Sequence, residues 1–208
     1  MEQKFYGLND LVRADCHDCA GCSSCCRDMG ESILLDPYDV YQMQKGAGLT
    51  AEALFAERII ALTVWKGLIL PCLQMDSERG ACGFLRENRC SIHSFRPGIC
   101  RLFPLGRNFE EGRMNYFLLE DACANRGRSK IRVSKWLGIQ PAAAYHDFVL
   151  AWHDFRYGLL AELADGAEEQ AKTINMELLR RFYLTPYDTR EDFYPQFYGR
   201  CHRLSGAM

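Results

Sequence analysis

Five cysteines fall within the eleven residues from Cys16 to Cys26, C-H-D-C-A-G-C-S-S-C-C, and this run constrains the chain more than any other feature of its sequence. Two residues between cysteines let both sulfurs turn toward one ion, the knuckle shared by zinc ribbons and iron–sulfur loops. Gly21, Ser23 and Ser24 keep the loop small enough to fold tightly round a metal and let backbone N–H groups face sulfur. Cys16, Cys19, Cys22 and Cys26 match the x2, x2, x3 spacing of bacterial ferredoxins, although Arg27 stands where that run has proline and no second copy follows. The spacing is not the x3, x2 pattern of radical S-adenosylmethionine enzymes. Cys25 and Cys26 are adjacent, and in extended chain neighbouring side chains point in opposite directions. They serve two metal centres, or one of them is a core residue.

Cysteine makes up 11 of the 208 residues. An odd number fits poorly with a closed disulfide framework, and disulfide scaffolds are mostly short exported domains, whereas this chain is long enough to bury a core. Its first residues, MEQKFYGLNDLVRAD, lack the apolar stretch of a signal peptide. The cytoplasm is therefore the expected location, and thiols clustered there hold metal or do redox chemistry. With 25 Lys+Arg against 27 Asp+Glu, the net charge of −2 gives no reason to expect nucleic acid or an anionic membrane as partner. No apolar run approaches the ~20 residues of a membrane span. Nothing in the sequence sets the oligomeric state.

Five more cysteines lie between Cys72 and Cys123, and the last is Cys201. Cys82, Cys90 and Cys100 are too far apart for a knuckle, so any metal they share is closed by the fold. From Arg79 to Arg107 there are six arginines, no lysine and one acid, Glu87. Guanidinium groups offset the charge of metal-bound thiolates; the alternatives are a solvated arginine loop or an anion site. Cys72, in LILPCL, reads as a small buried apolar residue and Cys201 as an isolated thiol. His146, His153 and His202 read as surface or packing residues. Asp36, Asp39 and Glu52 read as helix caps and first-turn charges.

The expected fold class is α+β, mainly α. A cysteine-rich metal-binding part with short strands and loops, residues 1–127, packs on a helical part, residues 128–208, in one folded unit. Asp36-Pro37 starts a helix that should run to Lys45, and Thr50 caps a second through Arg58. Strands are expected at 59–64 and 68–73 around a Lys66-Gly67 turn, and from Met114 to Glu120. Residues 79–107 read as loop with short turns. Tyr145, Phe148, Trp152 and Phe155 recur at helical spacing from Pro141 onward, as do Met176, Leu179, Phe182 and Tyr183 before Pro186. A last helix covers Glu191 to Arg203. The GAG element, Gly46 to Gly48, falls between helices and is a weak nucleotide-binding signal.

CAGCSSCC, followed by C-x-F-L and then C-x-I-H-x2-R-P-x2-C-R-x-F-P, resembles the YkgJ-type cysteine-cluster family of zinc- or iron-chelating domains. RPGICRLFP, Arg96 to Pro104, is its most specific element, and the resemblance spans residues 16–127. It implies that Cys19, Cys22, Cys25, Cys26, Cys82, Cys90, Cys100 and Cys123 form the metal-binding set. The chain departs from that pattern in carrying Cys16 and Cys72 as well, and Gly83 where relatives commonly have proline. His93 ligates or hydrogen-bonds a thiolate, or fills a position where relatives commonly carry tyrosine. The same region is similar to the cysteine-rich part of flagellin lysine N-methylases. The readings that follow are an iron–sulfur protein of the [4Fe–4S] type with a redox, electron-transfer or accessory role, a protein lysine N-methyltransferase, and a structural zinc module. Both metals accept four thiolates; the excess of cysteine over histidine and the arginines favour iron. The partner expected on the first reading is a redox or substrate protein.

Overall fold

Two short strands open the chain, β1 (Phe5–Tyr6) and β2 (Leu11–Asp15). Asp36 then starts a helix by the capping box its sequence suggests. The Asp36 side chain accepts from the Asp39 N–H at 2.8 Å, while the Asp39 side chain accepts from the Asp36 N–H at 3.0 Å. The helix α1 (Pro37–Ala47) runs two residues past Lys45 and closes on Gly48 at φ 67°. Gly46 sits inside it because another part of the chain comes too close for a side chain: an added Cβ would lie 2.6 Å from Phe95 Cβ. The GAG element is thus a helix end with a packing role. This computed structural model describes residues 3–16 and 22–201, so His17, Cys19 and His202 lie outside the described residues.

Thr50 Oγ1 accepts from the Ala53 N–H and caps α2 (Ala51–Ala56), which stops short of Arg58. The hairpin β3 (Ile60–Trp65) and β4 (Leu68–Leu73) follows in full register, with Ile60 opposite Leu73, and turns on Lys66-Gly67. Both turn residues have positive φ, the geometry of a two-residue turn that matches strand twist.

The stretch 79–107 carries more structure than its sequence suggests. It holds the miniature hairpin β5 (Leu85–Arg86) and β6 (Arg89–Cys90), a single 3-10 turn at His93–Phe95, the short helix α3 (Gly98–Leu102) and the first half of β7 (Leu105–Glu110). Strands of two residues show no periodicity, and β7, LGRNFE, alternates weakly. β7 pairs with β8 (Arg113–Leu118) through a Glu111-Gly112 turn, and β1 adds to the other edge of β8.

Past Cys123 the chain makes one more strand, β9 (Ser129–Arg132), before any helix, and pairs it with β2, so that Val12 lies opposite Ile131. Four helices follow: α4 (Val133–Leu137), α5 (Ala142–Asp165), α6 (Glu168–Leu179), which unwinds through a π turn at Arg180–Leu184, and α7 (Phe193–Cys201). The architecture is α+β, mainly helical, as expected. The aromatic stripe of α5 is core: Tyr145, Phe148 and Trp152 are buried, and Phe148 meets Phe197 edge-on at 4.7 Å. His146 packs beside Tyr116, and His153 stacks on Phe109 at 3.9 Å. Among the described residues, no helix is long and apolar enough to cross a membrane.

Candidate metal centre

The two cysteine-rich segments are tied together by backbone hydrogen bonds. Residues Ser24–Cys26 form one 3-10 turn, closed by the Cys26 N–H donating to Ser23 O at 2.9 Å. Beyond it the chain runs antiparallel to residues 80–82: the Cys82 N–H donates to Cys26 O at 2.9 Å and the Asp28 N–H to Gly80 O at 2.7 Å. The β5–β6 hairpin returns Cys90 to a place opposite Leu85, and α3 carries Cys100. These local geometries bring Cys22, Cys25, Cys26, Cys82, Cys90 and Cys100 onto the wall of one cavity of about 60 Å³. Ile33, Leu73, Met75, Phe84 and Pro97 make the rest of that wall apolar, and Arg89, Arg96 and His93 complete it.

A second cavity, about 290 Å³, adjoins the same loop and is lined by Cys16, Cys22, Cys25 and Cys123 with Met29 and Phe103. Cys22 and Cys25 stand in both walls. Cys16, which sequence spacing left open, is brought beside Cys123, and both are buried. Seven of the eight cysteines implied by resemblance thus line the two cavities, and the eighth, Cys19, lies outside the described residues. Cys72 is fully buried in β4 and Cys201 sits on α7; neither borders a cavity of thiols. No described cysteine is in a disulfide.

Burial pushes the Cys82 and Cys90 thiols above the ordinary thiol range and Cys100 well above it, with the nearby Asp39 carboxyl adding to the shift at Cys100. A hydrogen bond with Cys26, then burial, raises Cys25, while the charge of Arg96 opposes the shift at Cys25 and Cys90. Burial thus favours the protonated thiols over thiolates, and a metal entering the cavity has to displace those protons. Arg96 also orients His93: Nη1 lies 2.9 Å from His93 Nδ1 and donates to His93 O at 2.8 Å. With Nδ1 accepting from a guanidinium, the ring proton belongs on Nε2. Among the described residues, no three His, Cys, Asp or Glu side chains already stand around a single ion. The donor set suits a soft metal nonetheless, because thiols outnumber every other potential ligand on both walls.

A fold of this kind, with cysteine loops clasped round apolar cavities and a helical layer behind them, defines a small cysteine-walled metal-binding domain. The chain belongs to the CxxCxxCC family (Putative zinc- or iron-chelating domain), whose model matches residues 18–124, just over half of its length. The pattern in the family name is spelled by Cys19, Cys22, Cys25 and Cys26. Membership supports metal binding, of zinc or iron, through the cysteines. No curated protein and no solved structure matches the chain.

Proposed function

We propose that the thiols of the two adjoining cavities hold two iron–sulfur centres of the [4Fe–4S] type, in a cytoplasmic protein that exchanges electrons with a redox or substrate protein or supports another enzyme. The observation that carries this reading is the apolar backing of the thiols in the first cavity. Six thiols there are backed by Ile33, Leu73, Met75, Phe84 and Pro97. An apolar shell with a few guanidinium groups sets the reduction potential of an iron–sulfur centre, whereas a zinc ion has no potential to set. The count of thiols supports two centres: Cys16, Cys22, Cys25, Cys26, Cys82, Cys90, Cys100 and Cys123 are twice the four that one centre uses.

One observation favours a structural zinc module instead. A volume of about 60 Å³ suits a bare ion or a few waters better than a cluster of four irons. Methyl transfer gains no support from the described residues, since the GAG element is a helix end. Anaerobic purification separates the two metals. Iron–sulfur protein is brown, contains iron and acid-labile sulfide in equal amounts, and is bleached by dithionite. A colourless preparation with stoichiometric zinc and no sulfide overturns the iron–sulfur reading and leaves the zinc module.

A further inference from the structure

We infer that Asp39 is the positioning residue that sets Cys100 in the wall of the thiol cavity. Asp39 lies on α1, 59 residues from the segment it holds, and is only 2% exposed. Its two oxygens face two different N–H groups. Oδ2 accepts from Asp36 and closes the helix cap at 3.0 Å, while Oδ1 accepts from the Gly98 N–H at 2.6 Å.

Gly98 is the first residue of α3, two before Cys100. A helix of five residues has too few internal hydrogen bonds to hold its own orientation, so what anchors its first turn decides where its side chains point. α1 reaches this segment through the close approach of Gly46 to Phe95, which is apolar, and through the bond from Asp39, which is polar and directional. Removing the carboxyl strands the Gly98 N–H in a buried place and loosens the first turn of α3, while the last turn stays tied by the Trp136 Nε1–H donating to Leu102 O at 3.1 Å. A capping role alone needs only one of the two oxygens; the other is committed to the segment that carries Cys100.

The test uses alkylation of Cys100 by iodoacetamide, read by peptide mass spectrometry against Cys201 as internal reference, together with cobalt(II) titration. Alkylation is read without metal, so it stands apart from the metal-centre reading on which the cobalt arm rests. In Asp39→Ala, Cys100 labelling rises and cobalt(II) affinity falls, each by roughly tenfold, the scale of leaving one buried donor without its acceptor. Asp39→Asn keeps an acceptor for Gly98 but turns an N–H₂ toward the Asp36 N–H, so it melts earlier than wild type while Cys100 labels at the wild-type rate. Asn175→Ala is the control. Asn175 bonds the Ile69 N–H and Gly67 O, holding the β3–β4 hairpin to α6, so its loss destabilises without touching α3. Wild-type labelling in Asp39→Ala, or an equal rise in Asn175→Ala, overturns the proposal. A rise in Asp39→Ala with unchanged cobalt(II) affinity upholds the positioning and removes Cys100 from the metal-binding set.

Discussion

Cys25→Ser protein is expected to lose metal from both centres, Cys82→Ser and Cys100→Ser from the first alone, and Cys16→Ser and Cys123→Ser from the second alone. The pattern follows from the walls: Cys25 borders both cavities, Cys82 and Cys100 only the first, Cys16 and Cys123 only the second. A serine hydroxyl is a hard, protonated group at neutral pH and a poor substitute for thiolate. Structural zinc sites bind with about 10–16 kcal/mol in all; on that scale one of four ligands contributes about 3 kcal/mol and its loss weakens binding at least about a hundredfold. Cys72→Ser and Cys201→Ser should keep the full metal content, because neither sulfur borders the thiol cavities. Metal per chain after desalting reads the outcome directly. Loss in Cys72→Ser as large as in Cys82→Ser would mean that the cavities are not where the metal binds.

Gly98→Ala is expected to be the most disruptive single-methyl change near the centre. The new Cβ would fall inside the van der Waals envelope of the Tyr145 hydroxyl, which is buried and fixed by Arg107 Nη2 at 2.8 Å. Tyr145 has little room to yield, packed as it is against the rings of Tyr38 and Phe148. Overpacking of this kind costs about 1–3 kcal/mol. Displacing Gly98 also stretches its bond to Asp39, so a cost of about 3 kcal/mol corresponds to a fall of roughly 6–12 °C in Tm for a chain this long. Metal content should fall with it, since Cys100 moves with the helix. Adding Tyr145→Phe relieves the shortest contact and should restore part of the Tm. A Gly98→Ala protein with wild-type Tm and metal content would show that Tyr145 does not crowd Gly98.

Much of the candidate site is legible in the sequence, and the part that is not has an identifiable cause. Cys22, Cys25 and Cys26 declare themselves by spacing, because their geometry is local. Cys82, Cys90 and Cys100 declare only that something distant must join them; the joining is done by the Cys82 N–H bond to Cys26 O and by two hairpin residues at positive φ, Glu87 and Asn88. Cys16 and Cys123 lie more than a hundred residues apart in sequence, and no pattern links them until the second cavity does. Asp39 is the clearest case of a signal hidden by a correct one. Its place three residues after Asp36 is fully explained by a capping box, so nothing in the sequence asks for the second bond to Gly98.

The fold divides in the same way. Helices with strong caps or long stripes, α1, α2 and α5, can be read from the chain, and so can the β3–β4 hairpin with its Lys66-Gly67 turn. The strands that were not legible are β1, β5, β6 and β9, two to four residues long, together with β2 and the weakly alternating β7; each is completed by a partner strand that supplies its hydrogen bonds. Cys90 stands on one of these strands, which is why the second cysteine cluster looks like a loop in sequence and is a built wall in the fold.

X-ray absorption at the metal edge of the purified protein tests most directly whether cysteine sulfur holds the metal, whichever metal is present. The expected result is a first coordination shell of sulfur, at about 2.3 Å, with four scatterers per metal. A shell made mainly of oxygen or nitrogen would contradict it.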